Sequence, residues 1–276
     1  MASSPEYSSP KAAAAGDTPT ANGGGVGNPP VELVLIHGLG SGAWSWYKVK
    51  CLLENSCGHK VTCLDLTSAG KDQTDPADVH TFAHYNKPLI DFLSSLPTNH
   101  KVILVGHSAG GLSLSDAINQ FGCKKIKAAV FLAATMLKRG FHAPQDLKIG
   151  IPERFGGGKG DDKSSSVPAV NYEDQQQQSL LLCPLEDVVL SALLERPGPL
   201  PALASSKFEE GEDADKVPRI YIKTKYDNVL KPWQQEAMIE KWPPEDIYVM
   251  DSDHSPLLSN PIKLSGLLHK IALIYG

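Results

Sequence analysis

This sequence lacks the features that would point to nucleic acid or to a membrane. Its 276 residues include 26 lysines and arginines and 31 acidic residues, for a formal net charge of −5. Because no segment is rich in lysine or arginine, no electrostatic surface suited to nucleic acid is expected. No apolar run approaches the roughly 20 residues of a membrane-spanning helix, and the N-terminus lacks the charged-then-apolar pattern of a secretory signal. We therefore expect a cytoplasmic protein that binds neither nucleic acid nor membrane.

Cysteine is scarce as well. The five cysteines are an odd number and match no C-x-x-C pair or zinc signature; they are Cys51, Cys57, Cys63, Cys123 and Cys183. In a chain without a secretory signal they are most simply reduced thiols, and we expect most of them to be buried. The sequence thus predicts neither a disulfide framework nor a metal site.

Large apolar side chains are nearly absent from the first 30 residues, which are rich in alanine, serine, proline and glycine. Such a segment cannot bury enough apolar surface to offset the entropy lost on ordering, and we predict a disordered tail over 1–30. A plastid transit peptide is the weaker interpretation. Such peptides are rich in arginine and poor in acids, whereas this segment has no arginine and contains Glu6 and Asp17.

From residue 31 onward, short apolar runs alternate with stretches of helical period. This alternation predicts one α/β domain over 31–276, with a mainly parallel sheet covered on both faces. Strands are predicted at 31–36, 60–65, 101–106, 127–133, 219–224 and 246–250. Helices are predicted at 43–55, 81–96, 108–121, 231–241 and 261–274. If the strand order is 2-1-3-4-5-6, strands one and three are neighbours at a topological switch point.

A long interruption separates the fourth and fifth predicted strands. The segment 135–216 is too long for an ordinary connection, and we interpret it as a cap inserted over a site. Within it, PLEDVVLSALLERP at 184–197 predicts an amphipathic helix. The glycine-rich GGGKGDDKSSS at 156–166 favours a mobile surface loop over a lid.

A serine between glycines directly follows the third predicted strand. Residues 106–110, Gly-His-Ser-Ala-Gly, fit G-x-S-x-G between a strand and a helix, which is the setting of a nucleophile elbow. The serine of an elbow has a strained backbone, and side chains on either side would clash where strand and helix approach. The alternative is an ordinary strand-to-helix turn. We interpret Ser108 as a nucleophile.

A serine hydroxyl needs a base to take its proton, and the base needs an acid to orient it. His254 follows the last predicted strand, and Asp227 follows the strand before it. Asp251 and Asp253 are rival acids, but neighbours of the histidine on one short loop would have difficulty reaching its Nδ1. We therefore predict a catalytic triad of Ser108, Asp227 and His254.

The loop after the first predicted strand, HGLGSGAW at 37–44, is expected to form part of an oxyanion hole. In folds with a nucleophile elbow, this loop supplies one backbone N–H and the residue after the nucleophile supplies the other. The corresponding donors here are Leu39 and Ala109. With strands one and three adjacent, both loops line the same crevice.

The same loop supports the strongest rival interpretation, a dinucleotide-dependent oxidoreductase. Residues 38–43 fit G-x-G-x-x-[G/A], and Asp65 ends the second predicted strand about where a ribose-binding acid would lie. Tyr221 and Lys225 even imitate a reductase Y-x-x-x-K pair. That pair, however, lies on a predicted strand, where a spacing of four does not stack side chains as a helix does. An oxidoreductase also leaves the predicted triad unexplained.

Four long motifs make the chain recognisable as similar to a known family. They are LVLIHGLGSGAWSWYKVKCLLE, HKVTCLDLTSAGKD, VILVGHSAGGLSLSDAI and SDHSPLLSNP. Together they resemble the plant methylesterase branch of the α/β-hydrolases, which also contains the hydroxynitrile lyases. Three further stretches resemble the subgroup that cleaves methyl indole-3-acetate: YNKPLIDFLSSLP, AMIEKWPP and DHSPLLSNP.

The resemblance implies an α/β-hydrolase fold and a serine carboxylesterase that hydrolyses methyl esters of small hormone-like acids. Methyl indole-3-acetate, an auxin ester, is the best match. It further implies that the predicted triad is catalytic and that no cofactor takes part; the expected partner is a small-molecule ester, and a homodimer is compatible with the family. The lyase branch is disfavoured, because those relatives use a threonine and a lysine where this chain has Leu39 and Ser255.

One region departs from the family pattern. Residues 148–178 are polar and glycine-rich, and all four tryptophans lie elsewhere, at Trp44, Trp46, Trp233 and Trp242. This affects the identity of the ester more than the chemistry. The alternative from another functional class is a hormone receptor built on a hydrolase scaffold, with slow or absent turnover, which an incomplete triad would have favoured.

Overall fold

The computed structural model describes residues 30–153 and 179–276. The predicted disordered tail lies outside the described residues except for Pro30, and the predicted mobile loop at 156–166 lies outside them entirely. Among the described residues, no helix combines the length and apolar character that crossing a bilayer requires.

Six parallel strands form one sheet in the described part of the chain. They are β1 (Glu32–Ile36), β2 (Lys60–Leu64), β3 (Val102–His107), β4 (Ile126–Leu132), β5 (Arg219–Thr224) and β6 (Asp246–Met250). Their order is β2-β1-β3-β4-β5-β6, which confirms the predicted order. Ile36 pairs with Gly106, so the loops after β1 and β3 leave the sheet side by side.

Helices cover both faces of this sheet. They are α1 (Tyr47–Asn55), α2 (Phe82–Ser95), α3 (Gly110–Phe121), α4 (Pro144–Gly150), α5 (Leu185–Leu194), α6 (Leu200–Ala204), α7 (Pro232–Lys241), α8 (Pro256–Ser259) and α9 (Pro261–Tyr275). The predicted helix at 43–55 is wrong in its first turn, because Ala43–Trp46 is a 3₁₀ helix. The helix predicted from 108 begins at Gly110, because Ser108 has a φ of 54° that no α-helix admits.

The central strands β1 and β3 are mainly apolar because both of their faces are buried. Val34 and Ile36 of β1 pack into a core with α2 and α3, while Leu33 and Leu35 pack into a second core with α1 and α9. A strand buried on both sides has no polar face, so its sequence is a continuous apolar run. The two cores fix the sheet, and its carboxyl edge carries the loops described below.

The predicted amphipathic helix of the cap is α5. Its Asp187, which is fully buried, accepts hydrogen bonds from the hydroxyl of Tyr47 at 2.7 Å and from the ammonium of Lys48. Asp187 lies in the first turn of α5, where a carboxylate also interacts favourably with the helix dipole. These bonds attach the cap to the start of α1. The boundaries of the cap at 135–216 stay a prediction.

The cysteines are free thiols, as predicted. The expectation that most are buried is wrong, since Cys51 is exposed and the other four are partly exposed. Cys63 lies on β2, an edge strand of the sheet, and Cys51 lies on an exposed side of α1. Sequence alone does not distinguish an edge strand from a central one when both carry apolar residues.

Candidate active site

Ser108 lies at the sharp turn between β3 and α3. Its φ is 54°, a left-handed conformation that a residue with a Cβ rarely adopts. The turn is held by hydrogen bonds from Ser108 N to Leu132 O at 3.2 Å and from Thr135 N to Ser108 O at 3.0 Å. A Cβ at Gly106 would lie 2.8 Å from Gly110 O, and one at Gly110 would lie 2.7 Å from His37 O. Only glycine fits at these two positions.

The structure brings together the three residues predicted as a triad. His254 Nε2 lies 3.0 Å from Ser108 Oγ, and His254 Nδ1 lies 2.8 Å from Asp227 Oδ2. Both His254 and Asp227 are buried, so water competes little for these hydrogen bonds. The arrangement matches the geometry in which an acid orients a base that takes the proton of a nucleophile.

The Asp227 carboxylate is surrounded by hydrogen-bond donors. Its Oδ1 accepts from the backbone N–H groups of Val229 and Leu230, each at 2.8 Å. Its Oδ2 also accepts from Thr224 Oγ1 at 2.9 Å and from Gln235 Nε2 at 3.3 Å. Burial alone would raise the pKa of Asp227, but the charge of His254 and these hydrogen bonds hold it below its ordinary value. The carboxylate therefore stays ionised.

The two rival acids have other partners. Asp251 is exposed and pairs with Lys225 at 3.3 Å. Asp253 is fully buried, and its carboxylate accepts from Leu182 N at 2.7 Å, Ser255 N at 3.1 Å and Ser259 Oγ at 2.8 Å. Asp253 thus fixes the chain that follows His254 and ties the histidine loop to the cap. Sequence reasoning considered it only as an alternative acid.

His107, the residue before the serine, holds the backbone of His254 with a side-chain hydrogen bond. Its Nε2 donates to the backbone oxygen of His254 at 2.7 Å, which requires a proton on that nitrogen. Burial, together with the nearby His254, lowers the pKa of His107 to about 3. Its ring therefore stays neutral near the serine over the pH range in which proteins usually function. The G-x-S-x-G pattern leaves this position open, so the sequence carried no signal for it.

We expect the free energy of unfolding to fall as the pH is lowered from about 6.5 toward 4. His107 binds a proton in the unfolded chain below its ordinary pKa of 6.5 but not in the folded protein until about pH 3. Each such difference of one proton lowers stability by roughly 1.4 kcal/mol per pH unit. Urea unfolding of His107→Gln, whose amide can still donate to His254 O, should show a pH slope smaller by about this amount.

The matched control for this measurement is His80→Gln. His80 is exposed, so its replacement should leave the pH dependence of unfolding as in the wild type. A His107→Gln variant with the wild-type slope would contradict the burial of a neutral imidazole beside Ser108.

The two N–H groups predicted as oxyanion donors border the serine. Leu39, Ala109 and Ser108 all line one pocket, and neither the Leu39 nor the Ala109 N–H donates to another described residue. The loop after β1 is held by His37, whose Nδ1 donates to Gly38 O at 2.8 Å while its Nε2 accepts from Leu66 N at 3.1 Å. Two N–H groups beside Ser108, with no partner among the described residues, are suited to a developing oxyanion.

The pocket that contains Ser108 and His254 is mostly apolar. Side chains from the sheet loops and the cap form most of its wall, among them Leu39, Leu112, Phe141, Leu203, Leu230 and Leu257. Glu195, directly after α5, is the one carboxylate among the described lining residues. Leu39 and Ser255, the positions at which the sequence disfavours the lyase branch, also lie on this wall.

The residues of the oxidoreductase interpretation have other partners. The Asp65 carboxylate accepts from Ala43 N at 2.6 Å and Lys71 N at 3.2 Å, so it holds two loops. Tyr221 is fully buried and donates to Ala134 O at 2.8 Å, whereas Lys225 pairs with Asp251 at the surface. The Tyr-Lys pair does not form. Within 30–153 and 179–276, no group of three or more histidine, cysteine or acidic side chains is arranged to hold a metal ion.

Comparison with known proteins gives consistent matches. The family model described as "Alpha/beta hydrolase family" matches residues 33–265. Methylesterase 17 of Arabidopsis thaliana is 47% identical over 259 residues, covering 90% of this chain and 93% of its own length. Pheophorbidase of Raphanus sativus is 40% identical, covering 89% and 95%. The crystal structure of the Arabidopsis methylesterase MES16 superimposes with a TM-score of 0.77 at 39% identity, covering 88% of this chain and 99% of that one.

Proposed function

The chain belongs to the plant methylesterase branch of the α/β-hydrolase family and is a serine ester hydrolase acting on methyl esters, and we propose that it converts methyl indole-3-acetate to indole-3-acetate and methanol. The observation that carries the proposal is the contact of 3.0 Å between Ser108 Oγ and His254 Nε2 on the wall of an apolar pocket. This contact supports a serine nucleophile that the histidine can activate, beside a space suited to an apolar acyl group.

In the first half of the reaction, His254 Nε2 takes the proton of Ser108 as Oγ bonds to the ester carbonyl carbon. The carbonyl oxygen becomes an oxyanion that accepts hydrogen bonds from the N–H groups of Leu39 and Ala109. Asp227 keeps the Nδ1 proton in place and stabilises the imidazolium that forms. His254 then returns its proton to the methoxy oxygen, and methanol leaves as the acyl-enzyme forms.

The second half uses the same groups with water in place of the serine hydroxyl. His254 takes a proton from a water molecule, and the resulting hydroxide attacks the acyl carbon in the same oxyanion hole. Collapse of the intermediate breaks the bond to Ser108 Oγ, which recovers its proton from His254. The carboxylic acid then leaves, and the enzyme returns to its starting state with no cofactor consumed.

Two observations favour an indole acyl group. The apolar wall suits a flat aromatic ring. The motif resemblance to the methyl indole-3-acetate subgroup points to the same acid.

The test is steady-state hydrolysis of methyl indole-3-acetate, methyl jasmonate and methyl salicylate, with methyl naphthalene-1-acetate as the control. The naphthyl ester keeps a flat bicyclic ring and removes the N–H. We expect the indole ester to have the highest kcat/KM of the three hormone esters.

Faster turnover of the jasmonate or salicylate ester would replace the substrate and retain the chemistry. Tight binding of an ester without multiple turnover would instead support a hormone receptor on a hydrolase scaffold. Equal rates for the indole and naphthyl esters would show that the flat bicyclic ring, rather than its N–H, determines selection.

A further inference from the structure

The segment that follows cap helix α5 lies directly against the loop after β1. The backbone N–H of Arg196 donates to Gly40 O at 2.9 Å. Two residues later, a Cβ on Gly198 would lie only 2.3 Å from Leu39 Cδ1, so any larger residue there would displace Leu39. The cap therefore contacts the very residue whose N–H is assigned to the oxyanion hole.

The guanidinium of Arg196 makes a second connection, to the loop after β2. Its Nη1 donates to Asp72 O at 2.5 Å and to Gly70 O at 3.3 Å. This loop is itself well ordered by the Asp72 carboxylate, which accepts from Ser68 N at 2.9 Å and from Thr74 N at 3.0 Å. Arg196 thus binds a loop that is itself held by hydrogen bonds. Its guanidinium is charged, and charge-assisted hydrogen bonds to two carbonyls are stronger than neutral ones.

A third connection joins the loop after β1 directly to the loop after β2. The Asp65 carboxylate joins Ala43 N to Lys71 N, as described above. The loop after β1, the loop after β2 and the cap segment are therefore bonded to one another in a ring. Arg196 is the member of this ring that contacts both loops, through its backbone and its side chain respectively.

We propose that Arg196 is a positioning residue, which fixes the Leu39 N–H in the oxyanion hole by holding the cap against the loop after β1. This inference rests on the proposed function, since it concerns the same oxyanion. Arg196 itself is not among the residues that line the pocket, so it acts through Gly40 and Leu39 rather than on the substrate. The oxyanion hole is therefore complete only when the cap is docked against the loop after β1.

The expected effect falls on kcat. An oxyanion hole stabilises charge that exists only in the transition state, so its disturbance lowers kcat with little change in substrate binding. Loss of one donor typically costs on the order of 10²–10³ in rate. For a displaced donor in Arg196→Ala we expect a decrease in kcat of about 10- to 100-fold, with KM within about 3-fold. Arg196→Lys, which keeps one charged donor, should recover part of the loss.

The control variant is Arg219→Ala. The Arg219 guanidinium also donates to two backbone carbonyls, Val217 O at 3.2 Å and Pro243 O at 3.0 Å. However, Arg219 lies at the amino end of β5, whereas the site lies at the carboxyl ends of the parallel strands. If Arg196 were merely structural, both alanine variants would lose thermal stability and neither would show a selective decrease in kcat. Arg219→Ala is therefore expected to keep the wild-type kcat.

The experiment measures kcat and KM with p-nitrophenyl acetate, an ester that any serine esterase of this kind should accept. It also measures inhibition by an aryl trifluoromethyl ketone, which forms a tetrahedral adduct with an oxyanion, and by the matching methyl ketone, which binds unreacted. We expect Arg196→Ala to weaken inhibition by the trifluoromethyl ketone by the same factor as kcat and to leave the methyl ketone unaffected.

The outcomes separate the two proposals. Unchanged kcat and unchanged trifluoromethyl ketone inhibition in Arg196→Ala, with an active wild type, would overturn the role of Arg196 alone. An equal decrease in kcat for Arg219→Ala would overturn it as well. A wild type that neither cleaves p-nitrophenyl acetate nor binds the trifluoromethyl ketone would overturn the proposed function, and the role of Arg196 with it.

Discussion

Ser108→Ala is expected to lower kcat for methyl ester hydrolysis by on the order of 10⁴–10⁶. Without the hydroxyl, His254 has no nucleophile to activate, and the acyl-enzyme cannot form. The oxyanion donors and the pocket remain, so a small rate above that of water should persist and KM should change little. The measurement is steady-state turnover of the best methyl ester of the panel, with single-turnover trapping of the acyl-enzyme.

The matched control is Ser113→Ala, on the helix that follows the elbow. Ser113 is fully buried, and its hydroxyl has no hydrogen-bond partner among the described residues, so its removal should preserve both activity and stability. A third variant, Ser108→Gly, should be as inactive as Ser108→Ala but more stable by about 1 kcal/mol, because glycine adopts a φ of 54° without strain. Substantial turnover in either Ser108 variant would reject the assignment of the nucleophile.

Asp227→Asn is expected to lower kcat by on the order of 10³–10⁴ while the protein still folds. The carboxylate now receives the Nδ1 proton of His254 at 2.8 Å. An amide in its place can donate to Nδ1 and so move the imidazole proton to Nε2, where it blocks acceptance of the Ser108 proton. The other partners of Asp227 are all donors, and an amide NH₂ group satisfies them poorly in either orientation.

Asp251→Asn is the control for this second variant. Asp251 lies three residues before His254 and pairs with Lys225 at the surface, so its loss should change kcat by less than about 2-fold, in line with the small contribution of an exposed ion pair. The measurement is kcat for both variants across pH 5–8. If Asp253→Asn lost catalysis while Asp227→Asn retained it, the acid would be misassigned despite the 2.8 Å contact.

Most of the sheet was predictable because a buried strand has a recognisable sequence, a short run of apolar residues. The strands are short, mainly apolar runs separated by stretches of helical period, and the predicted limits fall within a residue of the observed ones. The predicted order of strands is also correct. Parallel strands with helical crossovers admit few topologies. The start of α3 was misplaced because helical periodicity does not reveal a positive φ at Ser108.

The loop after β1 is a case in which the local sequence cannot distinguish two functions. Its glycine pattern fits both an oxyanion loop and a dinucleotide-binding turn, and Asp65 has the right spacing for the latter. Only the fold shows that this carboxylate is bonded to Ala43 N and Lys71 N. The two interpretations differ in what a side chain contacts across space, and no periodicity in the chain encodes that contact.

By itself, the sequence determined the class of fold and the residues that can carry the chemistry. The carboxyl ends of parallel strands meet at one edge of the sheet, so Ser108, Asp227 and His254, each placed just after a strand, were expected to converge. Tertiary structure alone decided that Asp253 ties the histidine loop to the cap and that Arg196 connects the cap to the loop after β1. The physical reason is that these contacts join loops distant in sequence, whose relative positions are set by packing of the whole domain rather than by any local pattern.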